Sequence, residues 1–229
     1  QRLPNSPRGK SVKRTLHPLE KASDGPVALL INRPISRLIS APLARVGVTP
    51  NQATFLALAV GAGATAALAL RVWWAGGLLL QLSSVLSGVD GEVARRTGRE
   101  SRYGDFLDTT VDRFVEYAAL IGIAVGLSDA WDEWAWIVGL LAVGGTFMLT
   151  GASEKYRSTM HENYPKRQLE PLFAYLVSGR DVRVCLLMLA AFAATWNVDV
   201  MFWAMVALAA LLHANFLWRV ILLRTRLVP

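Results

Sequence analysis

The sequence predicts an all-α protein: an integral membrane bundle of six transmembrane helices preceded by a juxtamembrane amphipathic helix. Three observations carry this prediction. Apolar residues come in blocks of about twenty, the number a helix needs to cross a hydrocarbon core of roughly 30 Å. Of the 229 residues, 53% are hydrophobic and 18% charged, with a mean hydropathy of +0.36, whereas soluble domains carry about 25% charge. Basic residues crowd onto one side of the apolar blocks. These properties exclude a soluble globular domain, a disordered chain and a disulfide scaffold. The lone Cys185, with His17, His161 and His213 scattered, makes no zinc pattern.

Residues 1–22 are polar and basic and read as a disordered or linker segment, expected to come from a longer chain. No apolar h-region follows the charges, so this is not a signal peptide. Residues 23–47 carry Leu29, Leu30, Ile31, Ile35, Leu38, Ile39, Leu43 and Val46 at irregular helical spacing, with Arg33, Arg37 and Arg45 between them. That pattern fits an amphipathic helix on an anionic membrane surface; a helix packed on the protein's own loops is the alternative. Residues 48–229 form the transmembrane domain, with spans at about 49–70, 73–95, 104–127, 133–153, 182–197 and 199–221. Thr49-Pro50-Asn51 opens the first as an N-cap followed by Pro. Trp73, Trp74, Trp131, Trp134 and Trp136 lie near span ends, as interfacial aromatics do.

Of the 24 Lys and Arg residues, only Arg71 falls on the side that carries Asp129, Asp132, Glu133 and Asp199. The positive-inside rule then puts both termini in the cytoplasm. The formal charge of +7 is explained by topology, and no nucleic-acid partner is expected. No internal repeat supports an inverted-repeat transporter.

The chemistry concentrates in Ser87-Gly88-Val89-Asp90-Gly91-Glu92-Val93-Ala94-Arg95, followed after eight residues by Gly104-Asp105-Phe106-Leu107-Asp108-Thr109-Thr110-Val111-Asp112. Asp90 lies near the cytoplasmic end of the second span. Asp108 and Asp112, four apart at the start of the third, share one helix face. Ionisable groups inside spans are expensive and are functional candidates. Converging carboxylates need compensation, and a hard divalent cation with oxygen ligands provides it. Pairing of Asp90, Asp108 and Asp112 with Arg95, Arg102 and Arg113 is the purely structural alternative. Gly88, Gly91 and Gly104 also suit close helix packing.

This stretch resembles the motif of the CDP-alcohol phosphotransferase (CDP-alcohol phosphatidyltransferase) family, D-x2-D-G-x2-A-R-x8-G-x3-D-x3-D. Asp90, Gly91, Ala94, Arg95, Gly104, Asp108 and Asp112 match, and Thr49 to Thr54 is similar to the family's first-span segment. Glu20 to Val27, Asn32 to Ser36, Asp90 to Arg95 and Gly179 to Arg183 look most like the di-myo-inositol phosphate phosphate synthase branch. Members of that branch often carry a cytidylyltransferase domain in front, which fits a chain that starts at Gln1. One position departs: Ser87 stands where the family has its first aspartate, a ligand shared by two metal ions. Either engineering or a divergent subgroup would account for it.

The resemblance implies transfer of a substituted phosphoryl group from a CDP-linked alcohol to the hydroxyl of a second alcohol, inositol phosphate by the branch likeness, with release of CMP, in phospholipid or inositol phosphate synthesis. It implies Mg²⁺ or Mn²⁺, two ions in an intact site, on Asp90, Asp108 and Asp112 with Ser87 as a weak fourth ligand. Asp112 would also be the general base. Gly91 would admit the nucleotide, Arg95 its phosphate, and Asn51, Thr54 and Ser101 further contacts. The acceptor's phosphate calls for Arg; Arg157, Arg167, Arg180 and Arg183, with Lys166, are the candidates, topology or headgroup charge being the alternative for each. Glu92 and Glu116 are read as tuning groups. The partners implied are the two alcohols and the bilayer, and the apolar faces of Trp196, Phe202, Trp203 and Phe216 are compatible with a homodimer. Two other readings stand beside the enzyme: a silent relative that binds CDP compounds, because of Ser87, and a small transporter using the three aspartates as an ion relay.

Overall fold

A computed structural model describes residues 25–227. The linker expected over 1–22 lies outside the described residues. Those described are helical, with no strand among them. A π-helical turn, Ala28–Asn32, runs directly into α1, Arg33–Arg45. Then come α2 (Pro50–Ala69), α3 (Trp73–Thr97), α4 (Arg102–Met160), the short α5 (Lys166–Leu169) and α6 (Pro171–Leu176), α7 (Arg180–Ala194) and α8 (Asp199–Leu227).

Local chemistry sets the boundaries. Thr49 and Gln52 form a reciprocal capping box: Thr49 Oγ1 accepts from the Gln52 amide at 3.3 Å, and Gln52 Oε1 accepts from the Thr49 amide at 2.9 Å. Pro50 follows at the first turn, where its missing N–H is no loss. α3 stops at Gly98, whose φ of 63° places it in the left-handed region, the usual glycine exit from a helix. Ser101 then caps α4, its Oγ accepting from the Gly104 amide at 3.0 Å.

α4 has 59 residues and would measure about 90 Å if straight, far beyond one bilayer crossing. It breaks at Asp132, where φ is 44° and ψ is −126°. The arm after the break returns along the arm before it. A Cβ added to Gly139 would stand 2.8 Å from Ala124 Cβ, and the Tyr117 and Phe147 rings meet edge to face at 6.3 Å. The two arms correspond to the spans expected at 104–127 and 133–153, but the second continues to Met160. α7 is 15 residues long and starts two residues before the expected 182, and α8 continues beyond 221. By length and composition, α2, α4 and residues 199–224 of α8 are long and apolar enough to cross a membrane. α3 falls short because Trp73, Trp74, Gly76, Gly77, Gln81, Ser83, Ser84, Ser87 and Asp90 dilute its apolar residues, and α7 because it is short.

The core joins α2, α3, α4, α7 and α8 through Leu68, Leu80, Leu120, Ile123, Leu127, Leu187, Met201, Met205 and Leu212. Trp131 stacks on Phe202 with ring centroids 3.7 Å apart. Small residues let the backbones approach: a Cβ on Gly122 would lie 2.7 Å from the Thr65 carbonyl oxygen. Two of the aromatics expected to form a dimer face are therefore corrected. Phe202 is buried against Trp131 and Phe216 packs on the core, leaving Trp196 and Trp203 exposed. At the end of the bundle opposite the aspartates, exposed Arg71 pairs with Asp129 at 2.6 Å.

α1 is amphipathic, as expected, with Ile39 and Leu43 packed against α2 and α3. Its buried face is polar: Arg33, Ser36 and Ser40, continuing from Asn32. Leu30, Ile31, Ile35 and Leu38 face outward. The polar face docks on α3, where Glu92 accepts from Arg33 Nη1 at 3.3 Å, Ser36 Oγ at 2.7 Å and Ser40 Oγ at 2.8 Å. Asn32 adds a bond to Ser84 at 3.2 Å and receives one from Gln81 at 2.7 Å. Apolar-out, polar-in packing is stable where the surroundings are lipid rather than water.

Candidate active site

α3 brings Ser87, Asp90, Gly91 and Arg95 onto one side over two turns, and the first turns of α4 bring Asp108 and Asp112 alongside. Two cavities open there. One, of about 350 Å³, is lined by Asn51, Thr54, Asp90, Gly91, Arg95, Ser101 and Asp108. The other, of about 560 Å³, is lined by Ser87, Asp108, Asp112, Arg157, Lys166, Arg167, Arg180 and Arg183, with Asn32 and Arg33 at its back. Asp108 belongs to both walls. The residues expected to meet the nucleotide thus fall in the first cavity, and those expected to meet the acceptor's phosphate in the second.

Asp90 is buried. Its Oδ2 accepts from Thr54 Oγ1 at 2.6 Å, so Thr54, expected as a nucleotide contact, orients this carboxylate. Asp108 and Asp112 act on Asp90 as neighbouring like charges. Asp112 is arranged differently from the expected three-carboxylate cluster. Its Oδ1 is ion-paired to Arg180 Nη1 at 2.7 Å, and the same nitrogen donates to Ser87 Oγ at 3.4 Å. Among the described residues, no group of three or more His, Cys, Asp or Glu side chains is arranged to hold a metal ion. Asp90 and Asp108 both line the smaller cavity, and their hard oxygens are of the type that would hold a Mg²⁺-type ion there.

Arg183 needs correction as a substrate ligand. It is 2% exposed and committed to the interior. Its Nε and Nη2 donate to Glu116 at 2.5 and 3.0 Å, and its Nη1 donates to the Val177 carbonyl at 2.7 Å. Glu116 also receives Arg113 at 3.4 Å. Arg183 therefore positions α7 against α4 and forms cavity wall. Arg157 makes an exposed pair with Glu154 at 3.6 Å. Burial pulls the Lys166 ammonium below its ordinary pKa, against the opposing charge of Asp181.

Residues missed from sequence hold this site in place. Glu170, buried, is clasped by Arg219, which also donates to the Leu149 carbonyl at 3.1 Å and to Ser153 at 2.6 Å. Ser178 and Tyr164 donate to Glu170 at 2.8 and 3.2 Å, and the Arg219 guanidinium lies 4.1 Å from the Tyr164 ring centroid. Burial, reinforced by the Glu170 charge, pushes the Tyr164 phenol up to about 12. Asp181 Oδ2 accepts from the Ala28 amide at 2.9 Å, tying the π-helical turn to α7. The stripe Arg33, Ser36, Ser40, at intervals of three and four, was the available signal for the Glu92 contact.

Residues 47–213 match the sequence profile of the CDP-alcohol phosphatidyltransferase family. The chain belongs to that family. It is 34% identical over 174 residues to the bifunctional IPC transferase and DIPP synthase of Aquifex aeolicus, covering 75% of this chain and 39% of that protein. The corresponding protein of Archaeoglobus fulgidus is 34% identical over 191 residues, covering 83% and 37%. The chain thus spans about two fifths of the length of these bifunctional relatives. The archaetidylinositol phosphate synthase of Methanothermobacter thermautotrophicus is 28% identical over 203 residues, covering 85% of this chain and 93% of that one. Among solved structures, Mycobacterium tuberculosis phosphatidylinositol phosphate synthase with CDP-DAG bound shares the fold. Its TM-score is 0.67 at 20% identity, over 85% of this chain and 94% of that one. The same enzyme in complex with manganese and citrate has a TM-score of 0.65. This family member thus carries the fold of a transferase family, with Ser87 as its departure from the motif.

Proposed function

We propose that the chain transfers a substituted phosphoryl group from a CDP-linked alcohol to a hydroxyl of inositol phosphate and releases CMP, in a metal-dependent reaction. The observation that carries this reading is the pair of polar cavities sharing Asp108, one suited to a nucleotide diphosphate and the other lined with cations for a phosphorylated acceptor. The smaller cavity takes the cytidine diphosphate. Gly91 allows close backbone approach, Arg95 faces a phosphate, and Asn51 and Ser101 offer polar contacts. In the larger cavity Arg157, Lys166, Arg167 and Arg180 draw in the acceptor's phosphate. The acceptor oxygen forms its bond to phosphorus as the bond to the CMP oxygen breaks, and Asp112 takes the hydroxyl proton. Asp112 Oδ2, the oxygen that Arg180 leaves open, is the atom for that proton. A carboxylate is a weak base, so transfer comes late, as positioning and charge stabilisation dominate phosphoryl chemistry. A Mg²⁺ or Mn²⁺ ion at Asp90 and Asp108 would supply positive charge toward the diphosphate and the leaving oxygen.

In this reading the bundle crosses the bilayer six times, by α2, α3, the two arms of α4, α7 and α8, with α1 on the cytoplasmic surface. Both termini and the site face the cytoplasm, as the basic asymmetry requires. One-sided clustering of the acids argues against an ion relay through the bilayer.

The test is CMP release by the purified chain in lipid or detergent, with a CDP-alcohol, inositol phosphate and Mg²⁺. Release should require all three. Arg95→Ala should weaken CDP-alcohol binding by about 1.5–3 kcal/mol, the range for a charged hydrogen bond. Binding without turnover would favour the silent-relative reading, for which Ser87 speaks. Absence of CDP-alcohol binding would remove both.

A further inference from the structure

We propose that Asp181 is a positioning residue of the larger cavity: its one carboxylate caps the start of the N-terminal helix from α7 and holds the Lys166 ammonium toward an incoming phosphate. The transferase reading supplies only the source of that phosphate, the acceptor; the contacts themselves do not depend on it.

The first observation is a helix start that has no cap of its own. The Leu29 amide donates to the Gly25 carbonyl at 3.1 Å, so Gly25 stands at the entry to the π-helical turn that leads into α1. Gly25 has no side chain, and Pro26 has no N–H. An orphan amide of a first turn ordinarily takes an oxygen from the side chain at the helix start. Here the Ala28 amide donates instead to Asp181 Oδ2 at 2.9 Å, across 153 positions of the chain. A Cβ at Gly25 would fall on both carboxylate oxygens of Asp181. The distant carboxylate thus occupies the space where a local cap would stand, and its charge suits the positive end of the helix.

The second observation is what lies on the other side of the same carboxylate. A Cβ at Gly179 would overlap Asp181 Oδ1 and lie 3.7 Å from Lys166 Nζ. The two charged groups therefore flank one glycine on the wall of the larger cavity, which both residues line. Burial works against the Lys166 charge, and Arg183, Arg167 and Arg219, from α7, α5 and α8, add like charge; Asp181 supplies opposite charge. Its neighbours on α7 are directed elsewhere, Arg180 to Asp112 and Arg183 to Glu116. The two tasks differ in what they need. The cap needs an oxygen, and the lysine needs a negative charge.

That difference gives the test, made on the full chain in detergent micelles with Asp181→Asn and Asp181→Ala beside the wild type. Asparagine keeps an oxygen and loses the charge; alanine loses both. Amide hydrogen exchange at Ala28 reads the cap. Labelling of Lys166 by an amine-specific acylating reagent, followed by peptide mass spectrometry as a function of pH, reads the lysine, with inorganic phosphate as the protecting anion. Asp181→Asn should leave Ala28 exchange near that of the wild type. It should also lower the pH midpoint of Lys166 labelling and raise the phosphate needed for protection by roughly threefold or more. Asp181→Ala should change Lys166 in the same way and speed Ala28 exchange roughly fivefold, the effect of a typical lost cap. An unchanged labelling midpoint in Asp181→Asn would leave Asp181 a helix cap only and overturn the proposal. So would Ala28 exchange that alanine does not alter, or phosphate that does not protect Lys166 in the wild type. If the alanine variant does not fold, the asparagine variant decides, because its two readouts must part. In turnover, Asp181→Asn should raise the acceptor KM more than it lowers kcat, since Asp181 acts through Lys166. A chain that releases no CMP yet shows the labelling and exchange pattern loses the transferase reading and keeps this one. CMP release with a labelling midpoint that does not move does the reverse.

Discussion

Arg183→Ala separates a phosphate ligand from a structural ion pair. In the wild type, Arg183 supplies two of the hydrogen bonds to Glu116, at 2.5 and 3.0 Å, and both side chains are 2% exposed. Removing it leaves Glu116 with Arg113 at 3.4 Å, whose own side chain is 33% exposed. It also strips the Val177 carbonyl of its donor. Breaking a buried pair from one side costs about 3–5 kcal/mol, because the remaining charge is uncompensated. At about 2–4 °C per kcal/mol for a chain of this size, the midpoint of thermal unfolding should fall by roughly 6–20 °C. Replacing both partners with apolar residues, Arg183→Met with Glu116→Leu, should recover much of the loss, since no buried charge is then stranded. The assay is thermal unfolding of the four chains of the double-mutant cycle in one detergent, with acceptor KM measured on those that stay folded. A coupling energy above about 1 kcal/mol identifies the structural pair. If Arg183→Ala unfolds within about 2 °C of the wild type, while the acceptor KM rises at least tenfold, Arg183 is a ligand after all and the reasoning from burial fails.

Two further outcomes are expected. Glu92→Ala removes the acceptor of Arg33, Ser36 and Ser40, so α1 should come loose from α3; limited proteolysis should cut within 28–45 faster than in the wild type, and unchanged protection would show that apolar contacts alone hold α1. Tyr164 contributes stability that is fully present below its ordinary pKa of about 10 and is lost as pH rises through about 12; Tyr164→Phe should therefore lower the unfolding midpoint at pH 8 and flatten its fall between pH 10 and 12, whereas an identical alkaline limb in both proteins would remove Tyr164 from the Glu170 network.

What could be read from the sequence was what depends on neighbours along the chain. The Thr49 cap, the apolar blocks and the one-face relation of Asp108 to Asp112 are all local, and each appears in the fold. The division of the candidate residues between two cavities was also legible, because helix direction puts Asn51, Arg95 and Ser101 at one edge of the acids and the residues after 154 at another. Arg183, the misjudged residue, and Arg180, whose contacts were not foreseen, have partners far along the chain. Arg183 meets Glu116 across 67 positions, and Arg180 meets Ser87 across 93. Spacing says nothing of such pairs, and a buried arginine has the same letter as one that waits for phosphate. The break at Asp132 falls in the gap left between the spans expected at 104–127 and 133–153, so the reversal was legible and only its confinement to one residue was not. Nothing near Asp132 in the sequence signals that a single residue leaving the helical region would make the whole turn.

The polar contacts follow from the solvent. In water, α1 would bury its leucines and expose Arg33, Ser36 and Ser40. Lipid offers apolar groups nothing to escape from, so association there relies on packing and on polar groups that find partners inside. Glu92, Glu116 and Glu170, buried on α3, α4 and between α5 and α6, each hold an arginine from another element: Arg33, Arg183 and Arg219. Each clasp fixes one wall of the larger cavity, which includes Arg33, Arg183, and Leu149 and Ser153 beside Arg219. The charges that hold the helices together are thus also those that keep Arg180 and Asp112 in register. A variant that loosens any one clasp should therefore disturb the larger cavity before it disturbs the smaller one, where Thr54, Asp90 and Ser101 are held by bonds of their own.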